Sequence, residues 1–417
     1  MNINYELSSM NSRKLPFSIP SAVWERIVRI ERLLSRWLGW NEDEQWTHAG
    51  LVEAINKTIE AELFSREEIE CQLEAIRNQL SEGVLLAWTQ KVLTNNPELS
   101  LRLTQSEFFN RIVFCLHAGN IPLSGFQDVL VIMLSGFCYR GKLSKQDPWL
   151  LASLLEEFSQ SGFPVEGYSI SLDALPLLPS ANYLFFSGSE ESLFRLQDVF
   201  QNSGLFQLDH PVKMLTRSAS GSVALLIQQT LQESSQKLSP TSDDESWIHL
   251  VNATHRYTGK GCRSVSTILS DRSLKASSDH LLEAAKKEGF LSATPTPDIR
   301  YEVAYGLAKN RSQLLIGPIL YCEEPGWSVR PGLVHWIYID PALSKTEKSK
   351  KVSEYLHRYS AQIQSVFLPD DLVTIYMEVF REESILFSTE SLSSAQNPSL
   401  DWKPDGVDPL EWLWIQI

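Results

Sequence analysis

Cys262 is the residue in this chain with the clearest capacity for covalent chemistry. It lies in the segment YTGKGCRSVSTIL (257–269), where two glycines just before it let the backbone approach a substrate closely. Positive charge from Arg256, Lys260 and Arg263 favours the thiolate, which is the nucleophilic form of cysteine. The segment therefore predicts a nucleophile, although a half-buried structural cysteine fits it equally well.

A second group of residues suited to chemistry follows predicted strands. Three apolar segments are typical of strands: FFNRIVFCLHAGN (108–120), FCYRGKLS (137–144) and NYLFFSG (182–188). Amphipathic segments typical of helices alternate with them, at 124–136, 148–161 and 189–204. This alternation predicts an α/β fold with a parallel sheet and covering helices. Ligands bind such sheets at the carboxyl ends of the strands, which are followed here by the loops Gly119-Asn120, Lys142-Ser144 and Gly188-Ser189.

Composition excludes several classes of protein. The net charge is −14 over 417 residues, and no basic tract is present to bind phosphates, so we expect no nucleic-acid partner. The five cysteines are scattered without a CxxC pair, which predicts neither a disulfide framework nor a metal site. The strongest apolar run, VLVIMLSGFCY (129–139), is shorter than the roughly 20 residues that span a bilayer, and the first residues lack the apolar core of a signal peptide. We therefore expect a cytoplasmic protein with no membrane span.

The chain changes character along its length. Residues 21–93 have apolar side chains three and four positions apart, which predicts a helical amino-terminal region. The polar stretch QQTLQESSQKLSPTSDDES (228–246) is typical of an exposed loop. Near the end, LVTIYMEVF (372–380) is typical of a strand, and the tail is rich in tryptophan.

Three segments together resemble a known family. GNIPLSGFQDVLVIMLSGFCYRGKLSKQD (119–147), YTGKGCRSVSTIL (257–269) and AQNPSLDWKPDGVDPLEWLW (395–414) occur in order, and they resemble the acyl-CoA reductase family. That family includes the fatty-acid reductase of bacterial bioluminescence and belongs to the aldehyde dehydrogenase superfamily. The resemblance implies an aldehyde dehydrogenase-like fold, with two Rossmann-like parallel-sheet domains and a helical amino-terminal region.

The same resemblance implies a division of the chain into four parts. Residues 1–100 would be the helical region, 101–212 the dinucleotide-binding domain and 213–370 the catalytic domain that carries Cys262. Residues 371–417 would return to the cofactor domain or form an oligomer interface.

The resemblance also implies roles for single residues. Asn120 in GNIP matches an asparagine whose amide forms an oxyanion hole with the backbone N–H of Cys262; without the resemblance, Asn120 would be a turn residue. Lys142 and Ser144 in GKLS match the segment that holds the adenosine ribose or the 2′-phosphate of NADP. Gly188 and Ser189 would open a helix beside the cofactor phosphates. The expected NADPH site therefore comprises Lys142, Ser144, Gly188 and Ser189.

Other interpretations compete for some of these residues. Gly136 to Lys142 spells G-x-x-x-x-G-K, but Leu143 stands where a Walker A loop needs Ser or Thr for Mg²⁺. A Cys-His dyad with His249 or His255 competes with an ordinary surface or capping role for these histidines. The acidic pair at 323–324 suits either ribose binding or a solvated turn.

One departure from the superfamily bears on the reaction. Aldehyde dehydrogenases that make free acids carry a glutamate base upstream of the nucleophile, and the matching segment here, LTRSASGSVALL (215–226), contains no carboxylate. Without that base, an acyl-cysteine is poorly hydrolysed. We therefore expect NADPH-dependent reduction of a fatty acyl-CoA or acyl-protein thioester to a fatty aldehyde through an acyl-cysteine.

Two alternative functions compete with this expected reaction, and the expected reaction also implies several partners. A Cys-dependent acyltransferase or thioesterase would use the same nucleophile without a dinucleotide, and a non-catalytic acyl-binding subunit would keep only the fold. Besides the thioester, the expected partners are an acyl-transferring or acyl-activating subunit and further copies of the chain in a homo-oligomer.

Overall fold

A computed structural model describes residues 19–41, 45–81, 83–104, 111–171, 181–202, 212–218, 221–227, 240–327, 330–370, 373 and 388–416. The chain divides into two compact units. The first comprises residues 1–187, 195–216 and 408–417, and the second comprises 188–194 and 217–407.

Five helices precede the sheet of the first unit. They are α1 (Ser21–Trp37), α2 (Ala49–Glu60), α3 (Arg66–Gln79), α4 (Val84–Asn95) and α5 (Glu98–Arg102). In α1 the buried residues Val23, Ile27, Ile30, Leu34 and Trp37 recur three or four positions apart, so they form one apolar face. That face packs against the helices of the sheet described next, which explains why the amino-terminal region folds as helices.

The first sheet has five strands in the order β3-β2-β1-β4-β5. Its elements are β1 (Ile112–Leu116), α6 (Phe126–Ser135), β2 (Cys138–Lys142), α7 (Leu150–Gln160), β3 (Val165–Ser169), β4 (Ala181–Ser187), α8 (Glu190–Asn202) and β5 (Lys213–Arg217). β1 pairs in parallel with β2 and with β4, and β2 pairs in parallel with β3. All five residues of β1 are buried, because the central strand of a parallel sheet is covered on both faces.

The tryptophan-rich tail completes the first unit. Its helix α13 (Pro409–Ile415) buries Leu410, Leu413 and Trp414 and packs against α6. Trp412 lies edge-on to Tyr183 and Phe185 of β4. The end of the chain thus supplies core to the sheet that begins about 300 residues earlier in the sequence.

The second unit contains a seven-stranded sheet in the order β12-β11-β6-β7-β10-β9-β8. Its elements are β6 (Gly221–Leu226), α9 (Pro240–His255), β7 (Val265–Ser270), α10 (Leu274–Lys287), α11 (Pro297–Ala308), β8 (Gln313–Ile316), β9 (Ile319–Glu323), β10 (Leu333–Tyr338), α12 (Lys345–Arg358), β11 (Ile363–Leu368) and β12 (Thr389–Ser391). Short 3₁₀ turns cover Arg256–Gly259, Phe290–Ser292, Ser360–Gln362, Leu392–Ser394 and Pro404–Gly406. Neighbouring strands are parallel, except that β8 and β9 are antiparallel.

Alternate residues of the second sheet enter two different cores. Ala224 and Ile268 pack with α9 and α10, whereas Val223, Leu225 and Leu269 pack with α12. The period of two in the strands separates these sets onto opposite faces, so the sheet is covered on both sides. The predicted α/β class with parallel sheets and a helical amino-terminal region is therefore confirmed.

Of two further predicted segments, one is partly wrong and the other lies almost wholly outside the described residues. The loop predicted over 228–246 is wrong from Pro240 onward, where α9 begins; proline is favoured in the first turn of a helix because its missing N–H has no partner there in any case. Residues 228–239 lie outside the described residues. So does nearly all of the strand predicted over 372–380, of which only residue 373 is described.

The described helices include none that is long and apolar enough to cross a membrane.

Asp408 offers a test of how the tail is held. Its Oδ1 accepts hydrogen bonds from the N–H groups of Leu410 (3.0 Å) and Glu411 (3.1 Å), and its Oδ2 accepts one from the Trp88 indole at 3.0 Å. We expect Asp408→Ala to lower the free energy of unfolding by about 2–3 kcal/mol, because α13 loses its cap and a buried indole N–H loses its acceptor. Urea denaturation followed by circular dichroism measures the change. Ser65→Ala, which removes the exposed cap of α3, is the control with an expected loss of about 1 kcal/mol; equal losses would mean that the Trp88 bond adds nothing.

Candidate active site

Asn120 and Lys142 lie at the carboxyl edge of the first sheet. β1 ends at Leu116 and β2 ends at Lys142, and these two residues are register partners. The N–H of His117 then donates to the Lys142 carbonyl at 3.1 Å, which extends the pairing by one residue into the loop that carries Asn120. Parallel pairing therefore brings these two predicted site residues to the same edge of one sheet.

The loops after β1 and β2 touch each other at Gly119 and Ser144. A Cβ placed on Gly119 would lie 2.1 Å from the Ser144 Oγ and 2.4 Å from its Cβ. Only glycine fits at position 119 without overlapping Ser144. This contact places Ser144 next to Gly119, the residue before Asn120. Of the predicted site residues, Asn120, Lys142 and Ser144 are brought together within the first unit.

The Lys142 ammonium is partly buried. Desolvation, followed by the charge of Lys145, lowers its pKa from the usual value, and its Nζ donates to the Leu143 carbonyl at 3.3 Å. A partly desolvated ammonium with donors to spare is suited to bind an anion or a hydroxyl group. The Walker A alternative still lacks its hydroxyl residue, because Leu143 occupies that position and its apolar side chain is buried.

Gly188 and Ser189 follow β4 and belong to the second unit. The N–H of Gly188 donates to the Arg217 carbonyl at 3.1 Å. The Ser189 Oγ accepts a hydrogen bond from the N–H of Ser192 at 3.2 Å, so Ser189 caps α8 as the sequence predicted.

Cys262 lies in the second unit, in a tight turn that leads into β7. The N–H of Ser264 donates to the Gly261 carbonyl at 2.9 Å, and the N–H of Gly261 donates back to the Ser264 Oγ at 3.2 Å. The Ser222 hydroxyl of β6 donates to the Cys262 carbonyl at 3.1 Å. The backbone around the sulfur is therefore held from both sides.

A strained backbone segment precedes this turn. Tyr257, Thr258 and Gly259 have φ values of 54°, 51° and 71°, which place three consecutive residues in the left-handed region. This conformation costs roughly 1–2 kcal/mol for each residue with a side chain. Strain of this kind persists only where the surrounding structure demands it, and here it sets the direction of the chain just before Cys262.

Arg263 is fixed by the carboxyl-terminal part of the second unit. Its guanidinium makes two hydrogen bonds to the Glu390 carboxylate, at 2.9 and 2.8 Å, and donates to the carbonyls of Ser394 and Ala395. It also lies over the rings of Phe367 and Trp402. Such a planar, bidentate arrangement is specific to arginine, so Arg263 ties the turn of Cys262 to residues 390–402.

Burial changes the chemistry expected of Cys262. It raises the pKa of the Cys262 thiol to about 11; the charge of Arg263 lowers the pKa and that of Asp405 raises it, but neither equals the effect of burial. The charge of Arg263 thus favours the thiolate as the sequence predicted, but burial outweighs it. In the free protein the thiol is protonated at neutral pH.

His255, weighed as a dyad partner of Cys262, and Glu324, weighed as a ribose ligand, have other contacts in the structure. The His255 ring lies 3.1 Å from the Val251 carbonyl and 3.3 Å from the Ile316 carbonyl, and burial lowers its pKa to about 4. His255 is thus a structural histidine rather than half of a dyad. Glu324 forms an ion pair with Arg311 at 2.8 Å. Within the described residues, no three His, Cys, Asp or Glu side chains cluster in a way that could hold a metal ion.

Sequence reasoning missed the residues that support Cys262. Glu390 and Trp402 follow Arg263 by more than 120 positions, and no local pattern connects them to it. The pairing of Cys262 with Asn120 stays a prediction, because the two residues belong to different units.

Comparisons with known proteins identify the fold. No protein-family model matches the sequence, and no curated protein matches it. Among solved structures, the chain is similar to a putative methylmalonate-semialdehyde dehydrogenase from Sinorhizobium meliloti complexed with NAD (TM-score 0.55, 11% identity, covering 95% of this chain and 86% of that one). It is also similar to a putative aldehyde dehydrogenase from Anabaena variabilis (TM-score 0.51, 12% identity, covering 94% of this chain and 91% of that one). A third similar structure is a glyceraldehyde-3-phosphate dehydrogenase from Methanocaldococcus jannaschii complexed with NADP (TM-score 0.50, 10% identity, covering 92% of this chain and 88% of that one).

These similarities show that the chain has the aldehyde dehydrogenase fold. The aldehyde dehydrogenase-like fold predicted from the sequence is confirmed, and membership of the acyl-CoA reductase family stays a prediction. At identities of 10–12% the similarity shows the fold and does not identify a substrate, since proteins with one fold catalyse many different reactions.

Gly119 and Ser144 allow the contact between the two loops to be tested. We expect Gly119→Ala to lower the free energy of unfolding by about 1–3 kcal/mol, because the added methyl overlaps with Ser144. Ser144→Gly removes both overlapping atoms, so the double variant should lose much less than the sum of the two single losses. Urea denaturation of all four proteins gives the coupling energy. Additive losses would show that the two loops do not touch.

The pKa of Cys262 predicts how its reactivity depends on pH. Since the thiolate is the reactive form, the rate of alkylation of Cys262 by iodoacetamide should rise about 100-fold between pH 7 and pH 9 without levelling off. Peptide mass spectrometry resolves Cys262 from the other cysteines, and N-acetylcysteine in the same tube corrects for the reagent. A plateau below pH 9 would contradict a pKa of about 11.

Proposed function

We propose that the protein is an NADPH-dependent reductase of acyl thioesters, which forms a fatty aldehyde through an acyl-cysteine on Cys262. The aldehyde dehydrogenase fold supports oxidoreductase chemistry that uses a cysteine. Solved structures with this fold that contain NAD or NADP support a nicotinamide coenzyme, and the choice of NADPH and of a fatty acyl group rests on the resemblance to acyl-CoA reductases.

One observation favours reduction over hydrolysis. Asp405 is the carboxylate whose charge acts on the Cys262 thiol, and both of its oxygens are engaged. Its Oδ2 accepts a hydrogen bond from the N–H of Ser218 at 2.9 Å, and the Gln364 amide donates to its Oδ1. A carboxylate held in this way is poorly placed to activate water. An acyl-cysteine here would therefore be hydrolysed slowly and would persist until a reductant converts it to the aldehyde.

The residues around the first sheet fit a dinucleotide. The partly desolvated Lys142 ammonium and the Ser144 hydroxyl offer donors to ribose or phosphate oxygens, and Gly119 keeps the neighbouring loop close without a side chain. Gly188 and the Ser189 cap would hold the phosphates at the start of α8. When bound, the nicotinamide supplies the hydride that takes a thioester to the aldehyde level.

Residues of the chain itself would carry out the attack on the thioester and stabilise the negative oxygen. The Cys262 sulfur attacks the thioester carbonyl as the thiolate, the bond to the CoA sulfur breaks, and the departing CoA thiolate takes up the proton that Cys262 lost, so the exchange consumes no net proton. The amide of Asn120 and the backbone N–H of Cys262 would hold the negative oxygen that forms during the attack. The turn fixed by Arg263 would keep the sulfur and this N–H in a constant orientation.

The partners follow from the same proposal. Fatty acyl-CoA or an acyl-protein thioester is the acyl donor, and an acyl-transferring or acyl-activating subunit would deliver the acyl group. A homo-oligomer of this chain is also part of the proposal.

The proposal is tested by thioester reduction with purified protein. We expect oxidation of NADPH, measured at 340 nm, with at least one acyl-CoA between C8 and C18, and formation of the aldehyde in equal amount. Cys262→Ala should reduce the rate at least 1,000-fold, because the acyl-cysteine cannot form. Cys71→Ala, in which the changed cysteine lies on α3 of the first unit, is the matched control and should retain the wild-type rate.

Mass spectrometry without NADPH separates the alternatives. Wild-type protein incubated with acyl-CoA should gain one acyl group on Cys262. Release of free acid without NADPH would favour the thioesterase, transfer to a second thiol would favour the acyltransferase, and binding without any adduct would favour a non-catalytic acyl-binding subunit. Each of these results would overturn the proposed reaction.

A further inference from the structure

Asp147 is a buried carboxylate that connects two loops at the carboxyl edge of the first sheet. It lies in the loop after β2, and its Oδ2 accepts a hydrogen bond from the N–H of Leu123 at 2.7 Å. Leu123 belongs to the loop after β1, three residues beyond Asn120. The bond therefore joins the loop that carries Asn120 to the loop that carries Ser144.

Asp147 is buried just before the start of α7. Burial raises the pKa of its carboxyl to about 6, while the N–H groups of Leu123, Leu151 and Leu150 act in the opposite direction. In the described part of the chain, no side chain caps α7 by a hydrogen bond, and the Asp147 Oδ1 is buried without a hydrogen-bond partner. The bond of Oδ2 to the N–H of Leu123, 24 residues away, is therefore not a by-product of helix capping.

The residue that Asp147 holds is strained. Leu123 has a φ of 54° although its side chain is buried, and a left-handed conformation costs roughly 1–2 kcal/mol in a residue with a side chain. Its N–H is held by the carboxylate, and its carbonyl accepts a hydrogen bond from the N–H of Phe126 at 2.9 Å. A charged acceptor at short distance is the kind of interaction that can offset such a cost.

We propose that Asp147 is a positioning residue that fixes the Asn120 loop for the reduction of the thioester. This inference rests on the proposed function, in which Asn120 supplies an oxyanion contact. Asp147 acts through the backbone of Leu123, and its loss would affect the chemical step more than coenzyme binding, because Lys142 is held by strand pairing on both sides of β2.

Asp147→Ser removes the bond to Leu123. The serine hydroxyl stays polar at this position but is too short to reach the Leu123 N–H. We expect kcat for thioester reduction to fall at least tenfold in Asp147→Ser, approaching the value of Asn120→Ala, with the Kd for NADPH within twofold of wild type. Amide hydrogen exchange of a peptide covering residues 118–125 should be at least tenfold faster. Ser65→Ala, which loses the cap of α3 in the same unit, should change none of these values.

The two measurements identify which proposal fails. If wild-type protein reduces thioesters and Asp147→Ser keeps its kcat within twofold, Asp147 has no positioning role. If wild-type protein reduces no thioester, the proposed function fails, and hydrogen exchange alone decides the role of Asp147: unchanged protection of residues 118–125 in Asp147→Ser would overturn it. A lower kcat that only parallels a lower melting temperature, as in a general loss of stability, would overturn it as well.

Discussion

The parallel pairing of β1 with β2 and β4 is the interaction on which the candidate coenzyme site depends. Because all three strands run in the same direction, their carboxyl ends emerge at one edge, and residues distant in sequence become neighbours there. The buried side chains of β1 make a one-residue slip costly, since it would turn an apolar face towards the wrong core. The register that places Leu116 beside Lys142 therefore also places the Asn120 loop beside the loop of Ser144.

The surroundings of Cys262 follow a different principle. Here the backbone is positioned by contacts distant in sequence, in which Arg263 reaches Glu390 and Ser222 reaches the Cys262 carbonyl. The arginine stabilises the fold through its ion pair and its ring contacts, and its charge lowers the pKa of the Cys262 thiol. Burial of the thiol outweighs that charge, so the pKa of Cys262 is raised overall.

The sequence predicted what depends on local patterns. The alternation of apolar and amphipathic segments between 108 and 204 located β1, α6, β2, α7, β4 and α8, because each element must bury one face or stripe. The start of α9 at Pro240 was missed, since the preceding residues are polar and the helical signal begins only with Trp247. The sign of the Cys262 pKa shift was missed for a different reason, because it depends on burial of the thiol in the folded chain, which no local pattern indicates. Asp147 carried a partial signal as an acidic residue just before a helix, but nothing local indicates its bond to Leu123.

A protonated thiol fits one substrate class better than another. In the proposed reaction, attack on a thioester would release a CoA thiolate that takes up the proton lost by Cys262. Reduction of the acyl-cysteine would leave a negative oxygen, and its collapse to the aldehyde would release the Cys262 thiolate, which takes up a proton from water. Oxidation of an aldehyde to a free acid instead requires activation of water, and the carboxylate that acts on Cys262 is already engaged with Ser218 and Gln364. The raised pKa of Cys262 is therefore compatible with the proposed thioester chemistry, in which the leaving group is itself a thiolate.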